Sequence, residues 1–154
     1  MTMNWSRYIG IPYRPGGIDA QGSDCWGLVR HVMQTEMGID PGRFATDPRD
    51  MTGIARTVAA EQSAGRWTQI AEGAEEAFDI AVINRVARIG TRLTWGPFHI
   101  GIITDAAHVL HVDEMTSAIR LCFRDHGLNR RHSSWGGQRF EIWRLRQEIT
   151  AGPA

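Results

Sequence analysis

Phe98-His99-Ile100-Gly101-Ile102-Ile103-Thr104-Asp105-Ala106-Ala107-His108-Val109-Leu110-His111-Val112-Asp113 is the stretch that sets the fold of this chain. Two apolar runs flank Asp105-Ala106-Ala107, and they alternate with the period of two that belongs to strands. A hairpin symmetric about Asp105 sets His99 directly across from His111. Opposed residues share a face, with Cβ atoms about 4.5–5.5 Å apart. Ile100 then pairs with Leu110 on the other face, which Ile102 and Val112 share. A slip of one residue would carry one histidine to the opposite face.

On either side of this hairpin the same period continues. Strands are expected over 78–83, 98–104, 108–113, 118–123 and 139–145. The first half reads differently. Residues 5–22 carry Gly and Pro at a density that means turns. A helix is expected over 24–37, with Cys25, Leu28, Val29, Val32 and Met33 at helical spacing and Gly38 as its stop. Asp47-Pro48 reads as the cap and first position of a second helix running to about residue 63. Its inward residues would be Met51, Ile54, Ala55, Val58 and Ala59, and Trp67 and Ile70 would tuck onto the core. Helices first and an antiparallel meander second give an α+β domain of residues 1–154.

Bulk properties exclude several classes of function. The 154 residues hold 42% hydrophobic and 22% charged residues, ordinary for a globular domain. Arg supplies all 17 basic side chains and Lys none, and the formal net charge is zero. No basic field exists to attract nucleic acid, so none is expected as a partner. No apolar run reaches the ~18 residues of a membrane span. Residues 1–8 lack the apolar region of a secretory signal, so synthesis in the cytoplasm without one is expected. The arginines at 120, 124, 130, 131, 139, 144 and 146 read as a solvated face, and His31 as a solvated side chain.

Ser23-Asp24-Cys25 places a thiol in the first turn of the first helix, facing unpaired N–H groups and the positive end of the dipole. Both favour the thiolate, as a nucleophile requires. Two imidazoles side by side supply what such a cysteine needs, one to take the proton and one to orient the first. Two other readings compete: a pair of sheet histidines with no chemistry, or a zinc site of Cys25, His99 and His111 with Cys122 or His108. His108 lies three residues from His111 and so faces the other side. No Cys-x-x-Cys or His-x-x-x-His unit backs a metal, and neither a metal nor a cofactor is expected. A Cys25–Cys122 disulfide is not suggested either.

Pro12-Tyr13, Gly16-Gly17, Asp24-Cys25, Phe78-Asp79-Ile80, His99-Ile100-Gly101-Ile102 and Val109-Leu110-His111 occur in an order that resembles the NlpC-type cell-wall endopeptidases, a papain-like family. The resemblance covers residues 8–113 and implies an NlpC-type fold, with N-terminal helices on a central antiparallel sheet. It implies Cys25 as nucleophile, His99 as general base and His111 as the orienting third member. Tyr13 and the Cys25 N–H would help to hold the oxyanion, with Asp24 and Trp26 beside the substrate. The substrate implied is the stem peptide of bacterial peptidoglycan. Trp26 departs from the family's serine, and 41–77 reads as a helical insert. Asp24-Cys25-Trp26-Gly27-Leu28-Val29-Arg30, with its Tyr8–Tyr13 lead-in, is similar to the branch carried by phage tails and gene transfer agents. That branch implies tail-tip or baseplate hub proteins as partners, incorporation in a particle and action in the periplasm. The family's wall-binding repeats are absent from the sequence, so targeting would come from such a partner. A catalytically inert tail-tip protein of the same fold is the alternative.

Overall fold

Asp24 starts the first helix as expected: its side chain accepts from the Gly27 N–H, and Gly38 closes the helix in the left-handed conformation at φ 66°. The computed structural model describes residues 2–44, 50–122 and 139–146. After a 3₁₀ turn (Trp5–Tyr8) come β1 (Ile18–Asp19), β2 (Gly22–Ser23), α1 (Cys25–Met37) and α2 (Met51–Ser63). Then follow β3 (Trp67–Ile70), β4 (Ile80–Ile89), β5 (Arg92–Asp105), β6 (His108–Asp113), β7 (Thr116–Cys122) and β8 (Arg139–Leu145). β3 to β8 form one antiparallel sheet in the order β3-β8-β4-β5-β6-β7. This is the expected α+β architecture. No described helix is long and apolar enough to cross a membrane.

α1 lays Leu28, Val29, Val32 and Met33 on one sheet face, against Ile80, Val82, Ile102, Leu110 and Val112. Each such side chain contributes about 1.5–3 kcal/mol on burial. Alternate residues of the same strands, among them Ala81, Ile83, Ile103 and Val109, build a second cluster with Phe140 and Ile142.

Several expectations need correction. The meander holds only for β4 to β7, because β8 returns to lie between β3 and β4. Residues 67–70 form a strand that was not expected, and its Trp67 and Ile70 are buried, as expected. α2 is capped by Asp50; the expected Asp47-Pro48 cap lies outside the described residues. Ile54, Ala55 and Val58 are only half-buried and Ala59 is exposed, so α2 is a wall rather than a core helix. β4 and β5 run past their expected ends as a two-stranded arm, after an irregularity at Ile83/Asn84. Arg85, Arg88 and Arg92 lie in that arm, and Val86 and Leu93 are exposed on it, so it carries no burial pattern to read. It is held by its own ladder, by the Gly90 N–H donating to Thr52 Oγ1 at 3.1 Å, and by Arg139 over the Trp95 ring.

The hairpin register also differs. Ile102 pairs with Leu110 and Ile103 with Val109, and Asp105 then faces His108 across a shift at Thr104. The Asp105 carboxylate accepts from the Ala107 and His108 N–H groups at 2.8 and 3.0 Å, closing a two-residue turn where three were expected. The displacement amounts to two residues. An even shift preserves the face, so His99 and His111 remain neighbours, diagonal rather than opposed.

Nor are the arginines simply a solvated face. Arg144 Nε and Nη2 bind the buried Asp79 carboxylate at 2.7 and 2.9 Å. Arg120 binds Thr104 Oγ1 and Asp105. Positions 124, 130 and 131 lie outside the described residues. His31 is half-buried, its ring edge-on to Tyr8 at 5.5 Å.

Candidate active site

The residues before α1 form a tight collar around its first turn. Tyr13 bridges Ser23 in parallel, with the Ser23 N–H donating to the Pro12 carbonyl and the Arg14 N–H to the Ser23 carbonyl. Both Asp24 oxygens are engaged, Oδ1 by the Gly27 N–H at 2.7 Å and Oδ2 by the Gly16 N–H at 3.0 Å. A Cβ on Gly27 would lie 1.8 Å from the Gly17 oxygen, and one on Gly17 would lie 2.2 Å from the Gly22 oxygen. Only glycine admits that approach. The collar carries Tyr13 to the rim of the cleft that holds Cys25. Asp24 is therefore the clasp of this collar, and it also lines the cleft that holds Cys25.

Cys25 is a free thiol, half-buried at the helix start; the Cys122 side chain lies outside the described residues. Burial first, and the Asp24 carboxylate second, push the Cys25 thiol up to about 11. The amides of Ile100, Trp26 and Cys25 itself pull the other way and lose. The expectation of a thiolate at the helix start is thus corrected. Desolvation and a neighbouring negative charge both penalise the anion more than the local dipoles favour it.

His99 lines the same cleft from β5. Its Nε2 lies 3.0 Å from His111 Nδ1, with the rings edge-on at 5.1 Å and 84°. Burial, then His111, push the His99 imidazole down to about 4, against the Asp113 carboxylate. His111 is 3% exposed and is lowered by burial, with Asp113 again opposing. Near neutral pH the thiol and both imidazoles are therefore uncharged. Asp113 was not anticipated from the sequence. One donor atom each of His99, His111 and Asp113 all lie within 4.8 Å of one another. The signal was available: Asp113 is two residues from His111 on the same strand. Those three donors could surround a divalent cation; the His99–His111 hydrogen bond uses one nitrogen of each ring. His108 turns to Asp105 at 2.8 Å and belongs to another site.

The cleft measures ≈ 330 Å³. Ile54 and Val58 of α2 form one wall, with Phe44 and Trp67 beside them. Trp26 does not cross it. Its Nε1 donates to the Gly42 carbonyl at 2.8 Å and its ring packs on Phe44 and Trp67 at 5.2 and 6.2 Å, so it is fastened into the wall. Arg30, the last residue of the Asp24–Arg30 motif, grips Asp40 through Nε and Nη2 at 3.0 and 2.9 Å and anchors the same connection.

Stability should depend on pH in a direction set by these rings. A histidine lowered from 6.5 to about 4 leaves the folded state unprotonated where the unfolded chain takes a proton. Its contribution is complete above pH 6.5 and is lost as pH falls toward 4, on the order of 3 kcal/mol for His99. His111 and His31 shift in the same direction. Asp40, held at about 2 by Arg30, stabilises the fold fully above its ordinary value of 3.8 and loses that contribution only as pH falls from there toward 2, below the window of the histidines. Urea midpoints should therefore drop between pH 7.5 and 4.5, and His99→Gln should flatten the slope. Equal slopes in both proteins would contradict this assignment.

Residues 10–123 match the NlpC/P60 family. The structure is similar to the crystal structure of the NlpC/p60 domain of the peptidoglycan hydrolase SagA, with a TM-score of 0.54 and 23% identity. That likeness covers 89% of this chain and 90% of the other. No curated protein sequence matches the chain.

Proposed function

We propose, from the premise that this chain belongs to the NlpC/P60 family, that it is a cysteine endopeptidase cutting the stem peptides of bacterial peptidoglycan. The carrying observation is the His99–His111 hydrogen bond at 3.0 Å, on a strand that lines the cleft holding Cys25. In this reading the Cys25 thiol passes its proton to His99 as the sulfur attacks the amide carbonyl. His111 keeps the His99 ring in one orientation and tautomer. The Cys25 N–H and Tyr13 support the oxyanion, and His99 returns the proton to the leaving amine. Water then attacks the thioester, again through His99, releasing a carboxylate and restoring the thiol.

The segment 41–77 is an insert in this proposal, and it deepens the groove beside Trp26. The Asp24–Arg30 motif and its lead-in support a tail-tip place in a phage-like particle, with baseplate hub proteins as partners and the periplasm as the site of action. The second reading is an inert tail-tip protein, and the thiol raised to about 11 favours it. Trp26 fastened into the wall of the groove favours turnover.

Digestion of purified peptidoglycan and defined muropeptides, with products identified by mass spectrometry, tests the proposal. New peptide amines and carboxylates are expected, and their masses name the bond. Unchanged muropeptides after prolonged incubation would leave the inert reading.

A further inference from the structure

Asp113 sits where neither histidine can change its charge unnoticed. Its carboxylate lies in the same 4.8 Å cluster as the donor nitrogens of His99 and His111. It is held there by the turn that follows β6, in which the Met115 N–H donates to Oδ1 at 2.8 Å. Among the described residues, the following share the cleft of His99 or the strands of the imidazole pair. Cys25 and Asp24 come from the start of α1, and Tyr13 from the collar. His99 is on β5, and His111 and Asp113 are on β6. From β7, Ile119 lies across from His111 and Thr116 across from Asp113, neither of them charged. Of these groups Asp24 is already committed to two backbone amides. Asp113 is the carboxylate left to answer a positive charge on the imidazoles.

We infer that Asp113 is a positioning residue which stabilises the protonated His99–His111 pair formed when the Cys25 proton is transferred. The inference rests on the peptidase reading for its purpose, though not for its electrostatics. In the resting enzyme the pair is neutral, because burial outweighs the carboxylate. During attack one proton leaves sulfur and one positive charge appears on the imidazoles. A fixed carboxylate within this distance stabilises that charge without having to reorganise. His111 relays the interaction: it lies beside Asp113 on β6 and hydrogen-bonds His99 through Nδ1. The sequence of β6 thereby carries both parts, the orienting ring at 111 and the counter-charge at 113.

The test is Asp113→Asn, which retains an oxygen for the Met115 N–H and so keeps the turn. An opposite charge at 4–6 Å is worth about one pKa unit or more, or tenfold in proton population. The imidazole resonances of His99 and His111, followed by NMR against pH, should titrate at least about one unit lower in the variant. Asp113→Glu should restore most of that shift. With muropeptide substrate, kcat should fall about tenfold while KM stays close to wild type. Unchanged histidine titration in a folded Asp113→Asn protein would overturn the inference, as would a loss expressed only in KM. Absence of cleavage by the wild type would instead overturn the peptidase reading, and the titrations would still decide the role of Asp113.

Discussion

Cys25→Ala is expected to leave the fold intact and to reduce stem-peptide cleavage by at least about 10⁴-fold, since removing any member of a nucleophile–base unit disables the whole unit. The side chain is small and lies at the first position of α1, whose cap is Asp24 rather than Cys25. The helix therefore loses a sulfur and no hydrogen bond that starts it. His99→Ala should cost a similar factor, because a thiol raised to about 11 is almost wholly protonated near neutrality and needs a base at the moment of attack. The double variant should be no worse than either single one. His111→Ala should cost less, roughly 10²-fold, as orientation is lost while the base remains. Release of peptide amines from purified peptidoglycan measures all four. Alkylation of Cys25 offers a second readout: its rate should rise with pH up to about 11 rather than level off near the ordinary thiol value of 9.0. Retained turnover in Cys25→Ala would end the nucleophile assignment.

The second large effect concerns stability. Arg144→Ala should destabilise the protein by about 3–5 kcal/mol, the cost of leaving a buried charge without its partner. Asp79 is 1% exposed and Arg144 is 37% exposed at the side chain, so the two halves of the pair are not equivalent. Removing the guanidinium strands the carboxylate, with the Glu76 N–H at 2.8 Å left to it among the described residues. Asp79→Ala should cost less, because the half-exposed arginine can turn to water. The pair ties β8 to the residue that starts β4. There Phe78 holds φ 73°, a left-handed conformation costing a non-glycine residue roughly 1–2 kcal/mol. Its ring packs on Trp5 at 5.3 Å, and its N–H donates to the Ile103 carbonyl at 2.9 Å. At Phe78 tertiary contacts thus hold a backbone conformation that a glycine would adopt freely. Urea unfolding of both variants checks the order, and a loss under 1 kcal/mol in each would refute it.

Local features of this chain were legible because they arise from local physics. Asp24 caps α1 and Gly38 ends it, through hydrogen bonds made within a few residues of each. β6 runs from His108 to Asp113, the expected span, because its apolar residues alternate in the chain itself. The shared face of His99 and His111 followed from parity, which a register shift of two residues cannot disturb. Neither the arm of β4 and β5 nor the place of β8 was legible. The arm buries too little to leave a pattern, and β8 finds its neighbours through partners far away in sequence.

At the site the division is sharper. Tyr13, Cys25 and His99, which line the cleft, and His111 behind His99 were readable from their order in the chain, but their charges were not. Whether Cys25 is thiol or thiolate depends on how much protein surrounds it and on the Asp24 carboxylate, and burial outweighs the helix start. Whether Trp26 blocks the groove depends on Gly42, Phe44 and Trp67, which draw it into the wall. The sequence by itself determined which side chains share a face, since helix caps and strand alternation act over a few residues. Only the tertiary structure decided their protonation and their room to act, since desolvation and packing are summed over segments that meet only when the chain has folded.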